Sequence, residues 1–363
     1  MKLQVTQENL SRALATVGRI ASGRNTLPIL SNVLLTTVDN RLRIAATNLE
    51  VAMTETIGAK VSTEGSITIP ARLLTDLVNN IPHGVITLEL SENKLLIVTD
   101  QYDSVINGMS AEEYPVMPAL KDGKSLTIPA GVLKKSLQQV VGAASSDDAR
   151  PVLTGVYMHT HEGYLYIVAT DSYRLAEKQV QKTSESVNLL IPASSLQDVL
   201  RVLQDDASDV VVTYDDQQVR FLAGDVELVT RLIDGNYPDY RKLIPASFQT
   251  TALVKKADFA NITKVSSLFA RESAGSVTIK LDDQAKALSI RSVASQLGEN
   301  TARAEAQIEG SGDVTLNSRY LLDALNVLSG DTVNLSINGK LDAVVLRDPE
   351  HKDYTHVVMP VKS

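Results

Sequence analysis

Five histidines, no cysteine and 43 acidic residues are the raw material for chemistry in this 363-residue chain. His159 and His161 stand two apart in an alternating segment, so one strand face could carry both imidazoles, the beginning of a metal pair. A metal site needs further donors, and no Cys or His cluster supplies them: the other histidines are His83, His351 and His356. The pair therefore reads as the exposed end of a strand beside a Glu162-Gly163 turn. Asp171 and Arg174 in the run TDSYR could make an acid or an anion site. They read instead as a local pair at a strand-to-turn corner, because the corresponding run TNLEV lacks both charges. No Gly-rich phosphate loop, nucleophile elbow or paired-carboxylate motif stands out. The absence of Cys excludes thiolate zinc sites, disulfide frameworks and Cys nucleophiles, and fits a reducing cytoplasm. The expectation is a binding protein that needs no cofactor and no metal. A hydrolase on a repeated scaffold and a peptide-binding scaffold without DNA are the rival readings.

The scaffold that positions these residues is repetitive. LPILSNVLLTTVDNRLRIAATNLEVA (Leu27 to Ala52) resembles RPVLTGVYMHTHEGYLYIVATDSYRLA (Arg150 to Ala176) at an offset of about 123 residues. ITIPARLLTDLV (Ile67 to Val78) returns as LLIPASSLQDVL (Leu189 to Leu200) and, more faintly, as VTLNSRYLLDAL (Val314 to Leu325). Tyr114-Pro115 returns as Tyr237-Pro238, and SVTIKLDDQAKALSIRSVA (Ser276 to Ala294) keeps the strand, turn, strand layout. Three domains follow: 1–120, 121–246 and 247–363. Each is expected to open with an amphipathic helix, run through strands, then give a second helix and more strands. The first helices carry stripes of Leu10, Leu14, Val17 and Ala21, then Leu133, Leu137, Val140 and Ala144, then Phe259, Ile262, Ser266 and Phe269. The second helices carry Leu74, Leu77, Val78 and Ile81, then Leu196, Val199, Leu200 and Leu203, then Leu321, Leu325 and Leu328. RLRIAATN and YLYIVATD alternate as strands, with DNR and DDQQ as hairpin turns. The fold class is α+β: three repeated domains, each with two helices packed on β-sheets.

The net charge of −8 argues against nucleic acid until the charges are placed. Arg12 and Arg19 lie opposite the apolar stripe of the first helix; Lys135 takes the place of Arg12 in the second repeat, and Lys264 and Arg271 take both places in the third. Arg72 and Arg319 match in two of the second helices, with Arg24 and Arg150 in loops nearby. Acidic residues gather elsewhere, in runs such as SAEEYP, QDDASD and IKLDD. A basic helical face on an acidic protein is the electrostatics of a wall that attracts phosphate while the outside stays soluble. Met1 to Leu10 has no apolar run of signal-peptide type, and no stretch approaches the roughly 18 apolar residues of a membrane span.

Five motifs in order carry a family resemblance over Met1 to Ser363: GRNTLPIL, ATDSYRLA, IDGNYPDYRKLIP, NSRYLLDALNVL and VVMPVK. The chain resembles the bacterial DNA polymerase III beta subunits, the sliding clamps. The resemblance implies the DNA-clamp fold and a head-to-tail homodimer, a six-domain ring that encircles double-stranded DNA without sequence preference. It implies a cytoplasmic, nucleoid-associated processivity factor that performs no reaction and has no membrane partner. It assigns the dimer interface to Ser104, Val105 and Ile106 on an edge strand, and to Leu268 and Phe269 beside the strand Ser276 to Leu281. It also implies a groove that takes Gln-Leu-x-Leu-Phe-like motifs of the replicative polymerase catalytic subunit, the clamp loader, translesion polymerases and repair proteins. The matching residues are Leu153, Thr170, Ser172, Tyr173, Arg174, Leu175, Pro238, Lys242, Leu243, Tyr320, Leu341, Ala343, Val357, Met359, Pro360, Val361 and Lys362. Some relatives have Gly-His at Ser172-Tyr173 and Arg at Lys242. An apolar floor of Leu, Val, Met and Pro with a polar edge suits such peptides.

Overall fold

The computed structural model describes residues 1–21, 27–115, 120, 123–203, 209–296 and 298–361. Along the first repeat the elements are β1 (Lys2–Thr6), α1 (Gln7–Ala21), β2 (Asn32–Val38), β3 (Arg41–Thr47), β4 (Val51–Gly58), β5 (Lys60–Thr63), β6 (Ser66–Pro70), α2 (Ala71–Asn80), β7 (Val85–Ser91), β8 (Lys94–Val98) and β9 (Asp103–Asn107). The second has β10 (Lys124–Ile128), α3 (Ala130–Val140), β11 (Gly155–His161), β12 (Tyr164–Thr170), β13 (Arg174–Lys182), β14 (Asn188–Pro192), α4 (Ala193–Val202), β15 (Val210–Tyr214), β16 (Gln218–Ala223) and β17 (Val226–Arg231). The third has β18 (Thr250–Lys255), α5 (Lys256–Leu268), β19 (Ser276–Asp282), β20 (Ala287–Ala294), β21 (Gly298–Glu309), β22 (Gly312–Asn317), α6 (Ser318–Val327), β23 (Thr332–Ile337), β24 (Val344–Arg347) and β25 (Tyr354–Val358). Each repeat opens with a strand, not with the helix expected from the sequence. The five residues of β1 alternate exposed and buried, a strand pattern too short to separate from the apolar stripe that follows it.

The chain forms two compact units, residues 1–131 with 198–232, and residues 132–197 with 233–363. In unit 1 an eight-stranded sheet runs β6-β2-β3-β4-β17-β16-β15-β10, and a five-stranded sheet runs β5-β1-β7-β8-β9. In unit 2 a twelve-stranded sheet begins β14-β11-β12-β13-β25-β24-β23-β18 and continues β21-β20-β19-β22. The first eight strands of that sheet are the repeat counterparts of the unit 1 sheet, in the same order. Even the register across the junction is kept: Val51 pairs with Thr230 and Ala52 with Val229, as Arg174 pairs with Val358 and Leu175 with Val357.

Local chemistry explains the repetition. The β2–β3 and β11–β12 hairpins turn on Asp39-Asn40 (φ 47° and 57°) and Glu162-Gly163 (φ 48° and 77°), the left-handed pairs that match strand twist in a two-residue loop. Leu10, Leu14, Val17 and Ala21 of α1 are buried against β2, β3 and β4, and Leu74 and Val78 of α2 join them. In unit 2 Leu133, Leu137 and Val140 are fully buried, as are Leu321 and Leu325 of α6. The α5 stripe departs from expectation. Phe259, Thr263 and Ser266 face inward, while Val265 and Leu268 are about half exposed, at 47% and 54%. The α5 helix thus hides hydroxyls and leaves aliphatic side chains exposed.

Candidate functional site

The residues assigned to the groove all lie in unit 2, on β12, β13, β25 and the segments beside them. Their geometry starts from the turn joining β12 to β13. Asp171 Oδ1 accepts the backbone N–H groups of Tyr173 and Arg174, both at 2.9 Å, and Thr170 Oγ1 donates to the Arg174 carbonyl at 2.6 Å. These bonds hold Ser172 at φ 78° and lift Ser172 and Tyr173 into solvent, Tyr173 at 59% exposure. Arg174 is then fixed on three sides: Asp171 at 3.1 Å, Asp323 of α6, and the Tyr320 ring 4.7 Å from its guanidinium. The Asp171–Arg174 pair read from TDSYR is present, and its partner Asp323 is an addition that the sequence did not single out.

The floor beside this turn is the buried cluster of Val168, Leu175, Tyr240, Val345 and Val357, against which Ala343 and Met359 pack. Met359 N donates to the Tyr173 carbonyl (2.8 Å) and Val361 N to the Thr315 carbonyl (2.9 Å), so this segment lies along the turn as a wall. Pro238, Lys242 and Leu243 are exposed beside the floor, and Leu341 is 67% exposed. Four of the assigned residues, Leu153, Thr170, Leu175 and Val357, are buried and shape the floor from beneath rather than meeting a partner directly. Lys362 lies outside the described residues, as does Arg24.

Behind the floor sits an aromatic assembly. Tyr157 stacks on His159 (4.5 Å) and on Tyr237 (5.0 Å), and His159 on Tyr166 (5.7 Å). The Tyr240 hydroxyl joins His159 Nε2 (2.9 Å) to Glu177 Oε2 (2.5 Å), and Arg241 covers the Tyr166 ring at 4.6 Å. His159 is thus buried, at 7% exposure, and not the exposed strand end read from the sequence; the adjoining rings exclude water from it. His161 remains partly exposed, 3.8 Å from Glu162. Among the described residues no group of three or more His, Cys, Asp and Glu could hold a metal ion.

Burial brings the His159 imidazole down to about 4, helped by the Arg241 charge, and burial with the Arg174 charge brings His356 down to about 3. Both rings stay neutral in the fold, while an unfolded chain takes up protons near pH 6.5. Their contribution is therefore fully present above about pH 6.5 and is lost as pH falls toward 4. For His159 alone this amounts to about 3 kcal/mol at about 1.4 kcal/mol per pH unit. The urea midpoint of unit 2 is expected to drop steeply across that window, and His159→Gln to flatten the drop. A wild-type midpoint independent of pH there contradicts neutral burial.

The basic residues proposed to meet DNA are exposed: Arg12 and Arg19 on α1, Arg72 on α2, Lys135 on α3, Lys264 on α5 and Arg319 on α6. Among the described residues only Arg72 of these has a carboxylate within 4 Å, Asp76 at 3.8 Å. Arg271 corrects the sequence reading. It does not continue α5 seven residues beyond Lys264, because that helix ends at Leu268 and Arg271 begins a separate 3-10 turn. Arg150 donates to Ser172 Oγ at 3.0 Å and sits 3.5 Å from Asp147, which places it at the groove turn.

The residues assigned to the interface lie on or beside two open strand edges. Strand β9 ends the five-stranded sheet of unit 1; Val105 is 60% exposed, Ser104 partly buried, and Ile106 buried inward. The strand Ser276 to Leu281, here β19, is paired on both sides by β20 and β22 and is no edge. The open edge near Leu268 belongs to β21. Its residues 298–305 pair with β20 alone, and 306–309 pair with β18. Alternation in GENTARAEAQIE marks a strand, yet nothing in it says that its first eight residues lack a second neighbour.

Fold and surface define a class: a scaffold of three repeated α+β domains with strand junctions between repeats. Known families agree. Family profiles for the DNA polymerase III beta subunit match its N-terminal domain at residues 1–118, its central domain at 127–239 and its C-terminal domain at 241–362. The beta sliding clamp of Bacillus subtilis strain 168 is 29% identical over 377 residues, covering 100% of both chains, and a Staphylococcus aureus beta sliding clamp is 26% identical over 376 residues, again with full coverage. The solved sliding clamp of Bacillus subtilis superposes with a TM-score of 0.96 at 28% identity, over 100% of this chain and 99% of that one. A Bartonella birtlesii sliding clamp bound to griselimycin gives 0.95 at 27% identity, over 100% of both. The chain belongs to the DNA polymerase III beta subunit family, the sliding clamps, which are processivity factors and not catalysts. No helix among the described residues is long and apolar enough to cross a membrane.

Proposed function

We propose that two copies of this chain close head to tail into a ring around duplex DNA and tether replication and repair proteins through the unit 2 groove. The observation that carries the reading is a strand rule used twice within the chain and left unfinished at both ends. The last strand of the second repeat, β17, pairs with β4 of the first, and the last strand of the third, β25, pairs with β13 of the second. By the same rule β9, the last strand of the first repeat, requires a counterpart of β4 and β13. That counterpart is β21, whose first eight residues are unpaired on one side. A second chain satisfies both edges, and two such junctions close the structure without an open fibre. Asp103 on one edge and Arg303 on the other, neither in an ion pair among the described residues, are of opposite sign.

The three domains are then 1–120, 121–246 and 247–363, and Arg12, Arg19, Arg72, Lys135, Lys264, Arg271 and Arg319 supply the positive wall of the ring. Its place in the cell is the cytoplasm, with the DNA it encircles. Gln-Leu-x-Leu-Phe-like segments of the polymerase catalytic subunit, the clamp loader, translesion polymerases and repair proteins would seat apolar side chains on the Leu175–Val357 floor. That the Bartonella clamp was solved bound to griselimycin supports a ligand site on this fold.

Deleting Met359 to Ser363 removes the groove wall and is expected to weaken a labelled Gln-Leu-x-Leu-Phe peptide at least about thirtyfold, since anchor contacts of this kind are worth about 2–4 kcal/mol. Leu341→Asp, at a position 67% exposed and so harmless to folding, is expected to weaken it about tenfold. Fluorescence anisotropy reads both; unchanged affinity in both proteins would place peptide binding elsewhere.

A further inference from the structure

The segment that carries Pro238, Lys242 and Leu243 has little regular structure to hold it. Residues 233–249 contain no strand and no α-helix, only the 3-10 turn Tyr240–Leu243, and the Asp239 side chain does not cap that turn. Backbone groups tie the stretch to its surroundings near its two ends. Ile233 N donates to the Leu190 carbonyl at 2.8 Å, and Gln249 N and the Ser247 carbonyl meet the Asn338 side chain at 2.8 and 2.9 Å. Between those ends, Tyr240 N bonds the Pro238 carbonyl and Ile244 N the Arg241 carbonyl, both inside the segment. Yet Leu243, 48% exposed, stands in water beside the groove floor. A rim of this kind must be ordered either by the fold or by the peptide, and ordering by the peptide costs affinity.

Side chains order it here. Tyr240, 3% exposed, drives its ring into the floor cluster and meets His159 edge-on at 5.7 Å. Its hydroxyl joins His159 Nε2 to Glu177 Oε2. Arg241 lies over the Tyr166 ring and 3.3 Å from the same Glu177 oxygen. One carboxylate on β13 thus gathers both residues that open the turn. An ionised carboxylate only accepts, so the Tyr240 hydroxyl donates to Glu177 and accepts from His159, whose proton then sits on Nε2. The chain of bonds has one direction and no slack: each member is oriented by the next. Tyr237, stacked on Tyr157 at 5.0 Å, adds a third hold just before Pro238.

We infer that Tyr240 and Arg241, anchored together on Glu177, are positioning residues of the groove, which fix Pro238, Lys242 and Leu243 in place before a peptide arrives. The inference rests on the groove reading and adds to it the residues that act through the rim. It carries a kinetic signature. Removing a residue that touches the peptide speeds dissociation. Removing a positioning residue leaves the contacts intact but lowers the fraction of chains whose rim is in place. Association then slows by that fraction, and dissociation keeps its rate.

The test is stopped-flow anisotropy on the full chain with a fluorescein-labelled Gln-Leu-Ser-Leu-Phe peptide. Tyr240→Phe keeps the ring and removes the hydroxyl; Arg241→Gln changes a side chain that is one-third exposed, so it remains informative if the first variant fails to fold. Each is expected to slow association about tenfold and to leave dissociation within about twofold of wild type. Leu341→Asp, the contact control, is expected to do the reverse. Glu177→Gln is expected to slow association at least as much as either, and adding Tyr240→Phe to it to slow association no further, because both act through one anchor. The inference is overturned if both single variants associate at the wild-type rate, if their loss lies in dissociation, or if the Glu177 and Tyr240 effects simply add. The groove reading survives each of those results. It fails, and this inference with it, only if the wild-type chain does not bind the peptide.

Discussion

A chain carrying Val105→Asp and Leu268→Asp is expected to fold and to stay monomeric. Both side chains are more than half exposed in the single chain, at 60% and 54%, so a carboxylate at either position is solvated and costs the monomer little. In the ring the two positions flank the β9–β21 junction, where each carboxylate would be dehydrated without a partner. Leaving such a charge unpaired costs several kcal/mol, and the lost apolar contact adds about 1–2 kcal/mol per side chain. At about 1.4 kcal/mol per factor of ten, each junction weakens at least about a thousandfold. Phe269 is a poorer site for the same test, because it is half buried against its own domain and its removal disturbs the fold. Sedimentation velocity with a thermal melt reads the outcome. A double variant that melts like the wild type and sediments as a monomer supports the junction; one that remains a dimer of unchanged affinity places the interface elsewhere.

The repeat was readable because turn chemistry and strand alternation survive at a constant offset. Asp39-Asn40 and Glu162-Gly163 are different pairs, yet both adopt the left-handed turn that a two-residue hairpin needs. Helix stripes on α1 and α6 were readable for the same reason: Leu10, Leu14, Leu321 and Leu325 recur at helical spacing and are buried. The family was readable through motifs, not through composition or periodicity.

What the sequence hid is of three physical kinds. Short strands such as β1 carry too few residues to distinguish their alternation from the helix that follows. Helix ends are set by capping and tertiary fit, so the seven-residue spacing of Lys264 and Arg271 suggested a common helical face that the end of α5 at Leu268 removes. Surfaces meant to be covered invert the usual rule. The α5 pattern reads as Phe259, Ile262, Ser266 and Phe269 inward, whereas Thr263 and Ser266 are buried and Val265 and Leu268 are shown. His159 belongs with these, since its burial depends on Tyr157, Tyr166 and Tyr240 converging from different elements.

Retention on closed DNA tests encirclement most directly. A protein held by six to ten phosphate contacts loses about 10³–10⁵ in affinity between 50 and 200 mM salt. A closed ring does not, because departure requires opening a junction or reaching an end. The chain carries net charge −8, and its exposed helix cations are few, so direct binding to linear duplex is expected to be weak and salt-sensitive. Neutralising Arg12, Arg19 and Lys264 together is expected to impair loading more than retention. Protein loaded on nicked circles is washed at raised salt, half the sample is linearised, and both halves are separated by gel filtration. The ring predicts that protein stays with the circles and is lost from the linear molecules. Equal loss from both contradicts it, and retention would then be electrostatic rather than topological.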